Sequence, residues 1–386
     1  MKAIINGKIV LRDRIVGDSA VIFDEKIKDI IPNEKAQTLE GMEQLIDAAG
    51  RYVAPGLIDI HIHGYDGIDV SDGSEEGVTK MAQGLLANGV TAFCPTTMTV
   101  AKTQIEKALS VIRALKLKST LGYDVFTGAQ ILGANVEGPF INPEKKGAQA
   151  EEYILKPDAA FVKQYADVIK LITIAPEMDE NFACIRELAR DTGILLSMGH
   201  TGASYDVAIA AVKAGISHTT HLFNAMTPLM HRNPGVVGAA LSTDVSAELI
   251  CDTFHINPGL YSMVEKLKGD KLILITDCIS AGGLSDGVYS LGGQKTIVKG
   301  IECRLEDGTI AGSVLKLNNA VKNFRQYTGL PLFKAVCAAS INPATAIGVA
   351  DKKGSIEKEK DADMIIVDED MSVSKTLVRG SVYFEN

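Results

Sequence analysis

The stretch Gly56-Leu57-Ile58-Asp59-Ile60-His61-Ile62-His63-Gly64 sets two imidazoles two residues apart inside an apolar, β-branched run. On an extended strand, alternate side chains share a face. His61 and His63 therefore point the same way, with Asp59 two residues earlier on that face. Two neutral imidazoles converging from one strand make half of a metal site. A single histidine in such a run reads as a satisfied core residue. A pair at a strand end that runs into glycine reads as chemistry.

Outward from this strand the chain repeats one pattern. Short apolar runs at 57–63, 90–95, 131–137, 170–175, 194–199, 216–221, 247–252 and 272–276 read as strands. Amphipathic stretches such as 75–88, 100–117, 179–192 and 204–214 lie between them, with Ser74, Thr99, Asp179 and Ser204 as N-caps. Eight strands, each followed by a helical segment, predict an α/β fold built as a (β/α)8 TIM-type barrel rather than an open doubly wound sheet. No Gly-x-Gly-x-x-Gly follows the first strand, which argues against dinucleotide binding. The glycine-rich stretch 283–312 reads as a β-hairpin inserted after the eighth strand, near the barrel mouth.

The two ends read differently. Residues 1–53 are short strands joined by tight turns, and 354–386 returns to that style in Ala362-Asp363-Met364-Ile365-Ile366-Val367-Asp368 and Val378-Arg379-Gly380-Ser381-Val382-Tyr383. Neither piece has enough apolar residues for a core of its own. Both are expected to join in one small β-sandwich domain beside a barrel of residues 54–353.

Composition excludes several function classes. The 386 residues are 46% hydrophobic and 23% charged, a globular balance, and the net charge of −9 argues against a nucleic-acid surface. Lys352-Lys353 and Glu357-Lys358-Glu359-Lys360 read as solvated surface. Charges or glycines interrupt every hydrophobic run, so neither a signal peptide nor a bilayer span is expected. The six cysteines lack Cys-x-x-Cys spacing and read as buried free thiols of a reducing compartment, which implies the cytoplasm.

In such a barrel, catalytic groups project from the C-terminal ends of the strands. Strand one ends in His61 and His63, strand three in Asn135-Val136-Glu137-Gly138-Pro139-Phe140, and strand five in Ser197-Met198-Gly199-His200-Thr201. Strand six ends in His218-Thr219-Thr220-His221-Leu222-Phe223-Asn224, and strand eight in Ile275-Thr276-Asp277-Cys278. Imidazole nitrogens and carboxylate oxygens in this mixture suit one or two borderline divalent cations, Zn2+ and Fe2+ alike. His218 faces away from His221 on a regular strand and reads as a supporting or packing residue. His255 follows strand seven at the same mouth. Arg232 and His231 sit in a loop after strand six.

Pro55-Gly56-Leu57-Ile58-Asp59 leading into His-x-His is similar to the metal-dependent amidohydrolase superfamily. Val136-Glu137-Gly138-Pro139-Phe140, Gly199-His200-Thr201, His221-Leu222-Phe223-Asn224-Ala225-Met226 and Thr276-Asp277 resemble its branch of amino-sugar phosphate deacetylases, along the whole chain. The resemblance implies hydrolysis of the acetamide of N-acetylglucosamine 6-phosphate, with Glu137, His200 and His221 on the core metal and Asp277 as the catalytic acid–base. His61 and His63 would help hold a second cation. The resemblance further implies sugar-phosphate contacts from Ala148, Asn224, Ala225, His255, Ala311, Gly312 and Ser313. Arg232 would bind phosphate in the neighbouring site of a homodimer. Many members carry a histidine that touches substrate where this chain has Gln149, which can donate a hydrogen bond but carries no charge.

Two rival readings make different demands on the same residues. A cyclic-amide hydrolase of the same superfamily would need a carboxylated lysine at the end of strand four, and Ile172-Thr173-Ile174-Ala175-Pro176-Glu177 has none. A non-catalytic barrel would show missing ligands, and none is missing.

Overall fold

The computed structural model describes residues 1–122 and 124–386, with the side chain of Gln37 outside the description. Eight parallel strands form the barrel in chain order: Leu57–Ile62, Val90–Thr97, Ala134–Glu137, Ile169–Ile174, Leu195–Met198, His218–Thr219, Ser246–Ile250 and Leu272–Ile275. Each pairs with the next in parallel. Strand eight then returns to strand one, where the Asp277 N–H donates to the His61 carbonyl at 2.9 Å and Cys278 bridges Ile62. All six residues of strand one are buried, as expected where both faces of a parallel sheet are covered. The expected strand 131–137 is in fact two. Gln130–Ile131 pairs separately with strand two, and the chain turns at Gly133 before taking its barrel position.

Helix starts follow side-chain chemistry. The Ser74 hydroxyl accepts the Gly77 N–H at 3.0 Å to begin Glu75–Leu85, and Ser204 accepts the Val207 N–H at 3.3 Å to begin Tyr205–Ala214. Asp179 acts from further upstream, its carboxylate accepting from Cys184 and Ile185 at the start of Ala183–Asp191. Thr99 is not a cap. Its helix begins at Lys102, and the Thr99 N–H donates instead to the Gln149 side chain.

Both chain ends lie in one sheet. Its order runs Ser381–Glu385, Val373–Val378, Met364–Val367, Tyr52–Pro55, Lys2–Val10, Ile15–Phe23, Ile27–Pro32, with Gln44–Asp47 also on Lys2–Val10. The sheet surrounds one apolar cluster that mixes the two ends, Ile4, Val21, Phe23 and Val53 with Met364, Ile366 and Leu377. Two lysines expected at the surface are buried in the linking tail. Lys353 lies between Asp363 and Asp361 at 2.6 and 2.9 Å, and Lys360 between the Ser355 hydroxyl and Glu357 at 2.6 and 3.0 Å. Full pairing makes these burials tolerable. The insertion after strand eight has three antiparallel strands rather than two, Gly287–Leu291, Gln294–Lys299 and Glu302–Leu305. Among the described residues, no helix is long and apolar enough to cross a membrane. Of the six thiols, five are buried and all are free.

Gly56 is the single residue between the small sheet and strand one. A Cβ there would fall 2.1 Å from the Thr91 hydroxyl and 2.7 Å from Thr91 Cβ. Gly56→Ala is expected to lower stability by about 1–3 kcal/mol through this clash, read as an earlier urea midpoint. An unchanged midpoint would show that the junction yields freely.

Candidate active site

The barrel register gathers the strand-end residues at one mouth. His200, His221 and Asp277 have φ of 47°, 28° and 50°, in the left-handed region that non-glycine residues rarely occupy. The chain thus turns sharply at three of the residues whose side chains reach the mouth, and such strain concentrates at functional positions. Gly199 lets strands five and six approach beside His200, since a Cβ there would lie 2.7 Å from Thr220 Cβ.

Two groups of side chains converge. In the first, Glu137 Oε1 lies 2.9 Å from His221 Nε2 and 3.2 Å from His200 Nε2, and the two imidazole nitrogens are 3.0 Å apart. In the second, His61 Nε2 and His63 Nε2 are 3.2 Å apart, with Asp277 Oδ1 at 3.5 and 3.2 Å from them. Glu137 stands between the groups, its two oxygens 3.4 Å from His61 Nε2 and 3.2 Å from His63 Nε2. Asp59 does not join them. Its carboxylate accepts the Thr276 hydroxyl at 2.6 Å, and burial pushes it up to about 7.

The donor set fits a metal. His200 Nδ1–H donates to the Lys145 carbonyl at 2.8 Å, and His61 Nδ1–H donates to Glu248 at 2.9 Å. In the neutral ring this leaves each Nε2 as a lone pair aimed at carboxylate oxygens that also only accept. Such a geometry needs positive charge between the atoms. Burial alone would depress the imidazoles, yet Glu248, Glu137 and Asp277 lift His61 to about 9, and Asp277 and Glu137 lift His63 to about 10. Likewise burial would raise Glu137, but His200 and His61 hold it well below the usual carboxylate range. The field that retains protons here would also retain a divalent cation. The separations agree, because a tetrahedral site with bonds of about 2.0–2.1 Å has edges of roughly 3.3 Å.

Above these groups opens a cavity of about 360 Å³. Ala148, Gln149, Asn224, Ala225, His255 and Gly312 line it, together with His63, Glu137, His200, His221 and Asp277. His255 is oriented by Asp252, which takes its Nδ1–H at 2.6 Å and leaves Nε2 as the atom available to the cavity. Gln149 has a second commitment. Its amide oxygen accepts the Thr99 N–H at 2.7 Å, which fixes the amide so that its nitrogen donates to Glu137 Oε2. Ala311 and Ser313 are fully buried behind Gly312, where Ser313 N–H donates to the Asp277 carbonyl at 2.8 Å. Arg232 is exposed and outside this cavity. Lys145, Glu144 and Thr309 line the cavity without having been singled out in the sequence. Lys170, the lysine of strand four, extends away to the Ile347 carbonyl, so the carboxylated-lysine reading finds no residue to carry it.

The model of the amidohydrolase family matches residues 52–383. The chain is 39% identical over 388 residues, 99% of its own length and 96% of the relative's, to the N-acetylglucosamine-6-phosphate deacetylase of Bacillus subtilis (strain 168). It belongs to the amidohydrolase family, in the branch of N-acetylglucosamine-6-phosphate deacetylases. The crystal structure of that enzyme from Pasteurella multocida superposes with a TM-score of 0.92 at 33% identity, covering 100% of both chains. The Thermotoga maritima structure gives 0.88 at 33% identity, again over 100% of both. The family is metal-dependent, and the convergent histidines and carboxylates are groups that could hold its metal.

The two groups make separable demands. The double variant His61→Ala with His63→Ala is expected to keep one divalent cation per chain, read by metal content after dialysis. Loss of all bound metal would show that strand one belongs to a single shared site.

Proposed function

We propose that this chain hydrolyses the acetamide of N-acetyl-D-glucosamine 6-phosphate, giving D-glucosamine 6-phosphate and acetate, in amino-sugar breakdown. The observation that carries this reading is the floor of the cavity, where the group of His61, His63 and Asp277 adjoins that of Glu137, His200 and His221 beneath an opening of about 360 Å³. The substrate follows from the relatives, whose names state it. Glu137, His200 and His221 would hold one cation, and His61, His63 and Asp277 a second, with Zn2+ or Fe2+ as the ions these donors suit.

An amide resists attack because its carbonyl is a weak electrophile and its nitrogen a poor leaving group. A divalent cation in this donor set supplies acidity to water and polarises the carbonyl. Asp277 is buried among imidazoles, and the His63 hydrogen bond and the charges of His61 and His63 overcome burial to keep it ionised as a proton acceptor. It takes the proton released as water oxygen bonds to the acetyl carbon. It returns that proton to nitrogen as the C–N bond breaks, so the amine leaves neutral and acetic acid leaves with the new oxygen, giving acetate once its remaining proton passes to solvent. Asn224, Ala225, His255 and Gly312 would line the sugar, and Gln149 would steady Glu137 while facing the same space. Arg232, exposed on its loop, would grip phosphate in the site of a second copy of the chain in a homodimer. Residues 54–353 would form the catalytic unit, and 1–53 with 354–386 its support, in the cytoplasm.

Metal-loaded protein should release acetate from N-acetylglucosamine 6-phosphate and stop when a chelator removes the metal. A loaded protein that releases none overturns the reading.

Asp277→Asn keeps the shape but cannot accept a proton, so kcat should fall about 10²–10⁴-fold with little change in substrate binding. A turnover number within about threefold of the parent would remove Asp277 from the proton-transfer role.

Arg232→Ala should raise KM for the 6-phosphate roughly ten- to a hundredfold, the value of a charge-assisted contact. Turnover of unphosphorylated N-acetylglucosamine should stay as it was. Mixing Arg232→Ala chains with Asp277→Asn chains should recover activity, because one site of the heterodimer then has both groups intact. Equal losses on both sugars would exclude a phosphate contact.

A further inference from the structure

One wholly buried carboxylate of the barrel has no part in the scheme above. Glu248 lies mid-way along strand seven, wholly buried, in the otherwise apolar run Ala247-Glu248-Leu249-Ile250. Its Oε2 accepts His61 Nδ1–H at 2.9 Å and the backbone N–H of His221 at 2.9 Å. Its Oε1 accepts His218 Nε2–H at 3.1 Å, and His218 Nδ1 meets the Ser246 hydroxyl at 2.7 Å. Three donors thus satisfy two oxygens, which is what a carboxylate without water requires.

These contacts touch both histidine–carboxylate groups at once. A carboxylate only accepts, so its bond to His61 Nδ1 places the proton there and leaves Nε2 bare toward His63 and Asp277. The bond to the His221 amide holds the backbone at the residue with φ of 28°, whose Nε2 meets Glu137 and His200. No other ring of the four meets a carboxylate at Nδ1 among the described residues. His200 Nδ1 meets a neutral carbonyl, and among the described residues the Nδ1 atoms of His63 and His221 have no partner.

We infer that Glu248 is the positioning residue of the double site, setting the tautomer of His61 and the backbone of His221 so that the two cation positions are built together. His218 completes the arrangement by orienting the carboxylate. The inference rests on the metal reading above and goes beyond it, because Glu248 belongs to neither ligand group and does not line the cavity. A carboxylate behind a ligating imidazole also raises the basicity of the ring, and loss of such a partner typically weakens metal binding about 10–100-fold.

Metal affinity of the intact chain tests this, with Zn2+ as the probe. The chain is stripped with chelator, shown folded by circular dichroism, and titrated with Zn2+ against a competing chelator. Glu248→Ala should bind Zn2+ about a hundredfold more weakly at the position that includes His61, and Glu248→Gln about tenfold. Glutamine can keep the geometry, its oxygen facing His61 and its amide facing His218, which answers by moving its proton to Nδ1. In a His61→Ala background, adding Glu248→Gln should cost less than about threefold more at that position. A purely structural role would lower thermal stability and leave the affinity of the folded protein unchanged. Affinity within about twofold of the parent in folded Glu248→Ala overturns the inference, as does an equal loss with and without His61. If Glu248→Ala does not fold, Glu248→Gln decides by the same criterion. A parent chain that binds no Zn2+ would instead sink the metal reading, and this inference with it.

Discussion

The hydrogen bond from the Asp277 N–H to the His61 carbonyl is where the barrel becomes a ring. It is also where the first and last barrel strands, far apart in sequence, place His61, His63 and Asp277 within reach of one another. The same carbonyl run continues as His63 and Gly64 donate to the Cys278 carbonyl, and Ser313 caps the far side of strand eight. An opening of this seam by one residue would separate the histidine pair from the aspartate and flip the side chains of one strand. The chemistry therefore depends on register before it depends on any side chain.

What the barrel then has to support is a concentration of buried charge. Glu137, Glu248, Asp59 and Asp277 are all nearly or wholly removed from water, in a chain already acidic overall. Each is matched in its own way. Asp59 receives hydroxyl and backbone donors, Glu248 two imidazoles and an amide, and Glu137 the Gln149 amide and the His63 ring on one oxygen and three imidazoles on the other. Matching of this kind is costly to disturb singly, because removing one partner strands a charge in a low-dielectric interior.

Much of this was legible in the sequence, and the reason is geometric. Parallel barrel strands are apolar along their length, so histidines, glutamates and aspartates that recur at the ends of several such runs stand out together, as His61, Glu137, His200, His221 and Asp277 do. Glu248 gives no such signal, because it sits inside its strand rather than at the end and the sequence shows a carboxylate without its partners. Gln149 was read by analogy as a substrate contact, whereas its tie to Glu137 arises from a loop fold that spacing does not encode. Lys353 and Lys360 read as surface because pairing with Asp363, Asp361, Ser355 and Glu357 depends on tertiary contacts. Thr99 looked like a cap because its residue type fits, but Gln149 claims its amide. Local patterns disclosed what periodicity controls. They were silent where one side chain settles the fate of another from a distance.

The small sheet that takes strands from both chain ends has a consequence for synthesis. Tyr52–Pro55 lies between Lys2–Val10 and Met364–Val367, and it leads directly into the first barrel strand. On the ribosome its outer edge stays bare until the last strands are made. At about 5–20 residues per second that wait is roughly fifteen to sixty seconds. Throughout it, an apolar strand carrying Val53 and Ala54 presents unpaired backbone groups, the arrangement from which sheets pair with the wrong neighbour. The barrel is thus assembled beside an unfinished edge, and only the final segment of the chain seals it.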